Sequence, residues 1–87
     1  MNKLIKIDRC VFMTKSGKRV KKTGYLVVRG KDVKIVQRKS KNDKIPSKET
    51  AIGYANYLID VYYTMPSGCR DGEITRMARS ILSQAQD

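Results

Sequence analysis

The tetrapeptide Arg29-Gly30-Lys31-Asp32 constrains this chain more than any other stretch, because it sets glycine at the first central turn position between two runs of aliphatic residues. A two-residue type II′ loop of this kind fixes hairpin register. It sets Val28 opposite Val33, Leu26 opposite Ile35, Val27 opposite Lys34, Tyr25 opposite Val36 and Thr23 opposite Arg38. Side chains alternate across a strand, so one face is Leu26, Val28, Val33 and Ile35, and the other is Tyr25, Val27, Arg29, Lys34, Val36 and Arg38. The first face predicts core. The second predicts a basic surface with a tyrosine set in it.

Upstream, Lys3 to Thr14 is rich in Ile, Val and Phe. Apolar residues occupy both parities, Leu4, Cys10 and Phe12 on one and Ile5, Ile7, Val11 and Met13 on the other, which predicts a strand partly covered on both faces. Lys15-Ser16-Gly17-Lys18 reads as a turn, with Gly17 free to take a positive φ. The chain then returns through Arg19 to Arg29. Gly24 inside that strand reads as a bulge, which leaves the parity of Arg19, Lys21 and Lys22 open.

Downstream, Lys39 to Pro46 is polar, basic and aperiodic, and reads as a loop. Ser47 is placed to cap a helix, with Glu49 in its first turn and Ala51, Ala55, Leu58 and Tyr62 along its core line, widened by Ile52, Tyr54, Ile59 and Val61. Pro66 ends that helix. Asp71 caps a second, from about Glu73 to Ala85, whose apolar set of Ile74, Met77, Ala78, Ile81, Leu82 and Ala85 keeps strict helical spacing. The expected fold is α+β, one small domain over 1–87. A three-stranded antiparallel β-meander forms the basic half (1–40), and two α-helices (47–87) pack on one face of the sheet. At 87 residues, such a domain has little room for a large enclosed active site.

The formal charge of +11 is divided unevenly. Up to Thr50 sixteen Lys and Arg stand against four Asp and Glu, and after it three stand against four. Self-repulsion in one compact half is a cost that an acidic partner would offset. Cations at close, repeated spacing suit phosphates, so the candidate nucleic-acid-binding residues are Lys15, Lys18, Arg19, Lys21, Lys22, Arg29, Lys31, Lys34, Arg38, Lys39 and Lys41, with Tyr25 able to stack on a base or sugar. A β-ribbon fits the major groove, which favours DNA over RNA, with Arg29, Lys34 and Arg38, joined by Arg19, near base edges and the turn lysines on the backbone. In element order, a three-stranded meander followed by a helix resembles integrase arm-binding and plant AP2-type DNA-binding domains, which read the major groove through the sheet. None of their sequence signatures is present, and no family is assigned.

The same composition fits a charge-driven regulator or inhibitor that docks on an acidic surface of a nucleic-acid-processing enzyme or complex, the kind of small, motif-poor chain that compact viral genomes encode. Tyr57 and Tyr63 fall outside the core line of the first helix and are the candidates for contact with a partner protein or a second copy in a homodimer. Catalysis has no support. There is no histidine, Asp71 and Glu73 sit where a helix start favours carboxylates, and neither cysteine has a base nearby. No ligand spacing suggests a metal, and no cofactor is expected. Cys10 and Cys69 could form one disulfide but read first as two reduced thiols, and no apolar run reaches membrane-spanning length. An intracellular, cytoplasmic protein of a bacterium or an infected host cell is expected.

Overall fold

The structure, a computed structural model, describes residues 4–86 apart from the side chain of Cys69. Lys3, Asp87 and the Cys69 thiol, which entered the readings above, lie outside the described residues. Three antiparallel strands in the order β1 (Ile5–Met13), β2 (Arg19–Arg29) and β3 (Asp32–Val36) form the sheet. Helices α1 (Lys48–Thr64) and α2 (Gly72–Gln86) follow, joined by a single 3-10 turn at Ser67–Cys69. This is the α+β order expected. Among the described residues no helix is long and apolar enough to cross a membrane.

The Gly30 turn does what its sequence requires: Gly30 has φ 63° and Lys31 stays at negative φ, as a II′ loop demands. Val28 pairs with Val33, Val27 with Lys34, Leu26 with Ile35 and Tyr25 with Val36. The pairing stops there. Arg38 does not reach a position opposite Thr23, because the chain bends away from β2 after Val36.

The core joins Ile5, Ile7, Cys10 and Leu26 of the sheet to Ala51, Ala55 and Leu58 of α1 and Ala78 and Ile81 of α2. Phe12, Val33 and Ile35 pack around it. Its β1 members change parity between Ile7 and Cys10. Ile7 pairs with Gly24 and Cys10 with Lys22, so Asp8 and Arg9 together oppose Thr23, and the bulge lies in β1. The mixed parity of β1 thus has a different cause from coverage on both faces: the inward set is Ile5 and Ile7 before the bulge and Cys10 and Phe12 after it. Gly24 is not bulged. It is a point of close approach, over which Ile35, Cys10 and Phe12 pack.

Ser47 caps α1, its hydroxyl accepting from the Thr50 amide at 3.2 Å, and Asp71 accepts from the Glu73 amide at 2.9 Å. Helix α2 also closes the free edge of β1. Gln84 accepts from the Lys6 amide at 3.1 Å and donates to its carbonyl at 2.7 Å, while Arg76 donates to the carbonyls of Asp8 and Arg9 at 2.8 and 2.9 Å. Side chains here take the place of a neighbouring strand.

A candidate nucleic-acid interface on the sheet

The face of the sheet turned away from the helices is not an open ribbon. Lys44 exchanges both backbone hydrogen bonds with Val28, at 2.8 and 2.9 Å, on the side of β2 opposite β3. The connection from β3 to α1 must therefore cross the sheet. It does so over the outer face, where Arg29 meets Asp43. Arg29 donates from Nε to Oδ1 at 2.6 Å and from Nη2 to Oδ2 at 2.7 Å, and the Ser40 amide donates to Oδ2 at 2.9 Å. Under this strap Val27 is fully buried, although it shares the parity of the outer face.

Asp43 is itself buried, and its carboxyl is held far below the usual carboxylate range, first by the Arg29 hydrogen bonds and then by the Ser40 amide. A paired guanidinium of this kind anchors the strap. Arg29 is therefore a clasp at this end of the sheet, with two of its N–H groups committed, and it is not a free fork for a base edge.

The remaining predicted cations are spread over both turns, the far end of β2, the strap and β3. Lys15 and Lys18 lie in the β1–β2 turn, where the Thr14 hydroxyl accepts from the Lys18 amide at 3.0 Å and Gly17 takes φ 86°. Arg19, Lys21 and Lys22 are exposed on the part of β2 that extends past the end of β3. Since the bulge is in β1, β2 keeps its alternation: Arg19 and Lys21 share the face of Tyr25, and Lys22 shares that of Leu26. Lys31 is exposed in the β2–β3 turn, and Arg38, Lys39 and Lys41 are exposed on the strap. Lys34, opposite Val27, is half-buried, as is Tyr25 between Lys6 and Val36. Lys34 and Arg38 thus lie on different elements, a strand and the strap.

Two ion pairs are present among the described residues, Arg29 with Asp43 and Arg76 with Glu73. Arg19 and Lys21 border a shallow recess that Asp71 and Glu73 also line, without closing to ion-pair distance. The Glu73 carboxyl is held below its ordinary value, mainly by Arg76 and to a lesser degree by Lys21. Exposed Lys6, Arg9, Lys44 and Lys48 add to the same half. A reading by alternation passes over Arg9, although the parity change between Ile7 and Cys10 is the signal for the inserted residue there.

Tyr57 and Tyr63 are 59% and 65% exposed. The Tyr57 ring lies 6.0 Å from that of Tyr54, and Tyr63 meets Tyr62 edge-on at 5.2 Å. Arg70 sits over both Tyr62 and Tyr63, at 5.6 and 5.7 Å from the ring centroids. Among the described residues no group of three or more His, Cys, Asp or Glu is placed to hold a metal ion. Cys10 is a free, buried thiol, raised in pKa by burial, with Met77 Sδ 3.9 Å away. Comparison with protein-family models, with curated proteins and with solved structures gives no match to this chain.

Proposed function

We propose that this protein binds nucleic acid, duplex DNA before RNA, through phosphate contacts made by the turns, the strap and the far end of the β1–β2 hairpin. The observation that carries the reading is the lack of internal neutralisation: of the Lys and Arg described up to Thr50, Arg29 alone has a carboxylate within ion-pair distance. A folded half that keeps so many exposed ammonium and guanidinium groups apart from its own carboxylates gains most from an external polyanion. With Val27 covered and Arg29 clasped, the support is for backbone contact more than for base readout.

Electrophoretic shifts with duplex DNA, single-stranded DNA and RNA test this. Engaging around six phosphates should lower duplex affinity by roughly a thousandfold between about 50 and 200 mM salt. Lys15→Glu combined with Lys18→Glu, both in an exposed turn, should weaken binding to every sequence alike. A binding curve that stays flat across that salt range overturns the proposal.

The exposed Tyr57 and Tyr63 favour a second reading, a regulator whose basic half docks on an acidic protein surface while these rings anchor the contact. In nuclease-treated lysate, one protein retained by the wild type and lost with Tyr57→Ala and Tyr63→Ala would support it. Loss of every partner after nuclease would return the case to nucleic acid.

A further inference from the structure

We propose that the β1 bulge presents Arg9 to a single backbone phosphate, in a cleft completed by Lys21, Lys22 and Thr23. The inference rests on the nucleic-acid reading and assigns it a specific contact. It begins with a backbone outlier. Arg9 has φ 58° and is the sole non-glycine residue at positive φ among the described residues. Glycine adopts that conformation without the steric penalty a Cβ brings, so an arginine there is held against its own preference.

The surrounding structure does the holding. Arg76 donates to the carbonyls of Asp8 and Arg9 at 2.8 and 2.9 Å, and Glu73 fixes Arg76 by accepting from its Nε and Nη2 at 2.9 and 2.6 Å. A strained conformation fixed from a neighbouring helix is the pattern seen where geometry serves a site, and bulges re-aim side chains in this way. Asp8, Arg9, Lys21, Lys22 and Thr23 line the resulting cleft. Its three cations have no carboxylate within ion-pair distance; Asp8 lines the cleft with them, and Lys21 also borders the recess of Asp71 and Glu73.

This donor set matches a phosphodiester. The guanidinium offers a planar fork to two phosphate oxygens, the Thr23 hydroxyl can donate, and Lys21 and Lys22, which leave β2 on opposite faces, add positive charge from either side. A purely structural bulge has no need of the arginine, since glycine would form it at lower cost.

Arg9→Gly separates the two roles. Removing the side chain relieves the backbone, so the melting temperature should hold or rise. Affinity for a short DNA duplex at 0.1 M salt should fall by about tenfold, in line with loss of a charge-assisted hydrogen bond, and the slope of log affinity against log salt should shrink by about one. Arg9→Asn, which also tolerates this conformation, should behave alike, and Asp8→Asn should tighten binding. If the wild type binds duplex and Arg9→Gly binds as tightly, the phosphate site is wrong and the broader reading stands. A fall in melting temperature with Arg9→Gly would show that the arginine supports the fold, and overturns the site. Failure of the wild type to bind any nucleic acid overturns both.

Discussion

Gly24 shows how much one missing methyl can govern. A Cβ built there would stand 2.6 Å from Ile35 Cγ2, 3.0 Å from Cys10 Sγ and 3.3 Å from Phe12 Cζ. The nearest atom is a branch methyl close to the β3 backbone, so it cannot swing aside as the end of a long side chain would. Gly24→Ala should destabilise the protein by about 1–3 kcal/mol, the usual cost of overpacking a filled core. Urea denaturation reads this directly, and an unchanged midpoint would mean that β3 shifts to accommodate the methyl. A glycine inside a strand announces either a bulge or a close approach, and the sequence cannot say which, because the deciding atoms belong to Ile35 on another strand and to Cys10 and Phe12 across the pair. The same limit hid Arg9. Its exposure and its strained φ follow from the β1–β2 register, and the change of inward parity from Ile7 to Cys10 was the only local trace.

At the scale of elements, whatever is encoded by neighbours in the chain was legible. The Gly30 loop sets five cross-strand pairs, Ser47 caps α1, and the apolar spacing of α2 puts Ala78 and Ile81 in the core. The strap was not legible, because nothing periodic marks it: its path depends on the clasp between Asp43 and Arg29 and on the Lys44–Val28 backbone bonds, both made between residues distant in the chain. That clasp makes a pH prediction. The folded-state pKa of Asp43 lies below its unfolded value, so the stabilisation is fully present above the ordinary carboxylate pKa near 4 and is lost as pH falls through the folded value. Asp43→Asn should therefore melt below the wild type at neutral pH, with the gap narrowing steadily from about pH 5 toward pH 2. Thermal melts over that range supply the measurement. A constant gap would mean that the Asp43 carboxylate contributes through shape and not through charge. Lys34 and Arg38 show the cost of missing the strap. Read on one strand they formed a shared face, whereas the chain leaves the sheet between them to begin its crossing.

For the whole molecule, a formal charge of +11 is set against two ion pairs among the described residues, and that imbalance controls how stability responds to salt. Attraction between surface charges weakens as salt is added, and so does repulsion; the sign of the net effect tells which dominates. Here repulsion among exposed cations should dominate, because the Debye length shrinks from about 30 Å at 0.01 M salt to about 8 Å at 0.15 M, within which fewer like charges interact. The free protein should therefore melt at a higher temperature in 0.2 M sodium chloride than in 0.01 M. Added duplex DNA should raise the melting temperature at low salt by linkage, by about 2.7 kcal/mol of stability when free duplex is a hundredfold above its dissociation constant. Salt works against that gain, since it weakens each phosphate contact. Plotted against salt, the melting temperature of the free protein should climb while that of the complex falls, and the two should converge where binding is lost. Parallel curves would mean that the bound polyanion and the dissolved ions do not relieve the same repulsion, and the link between uneven charge and partner would have to be given up.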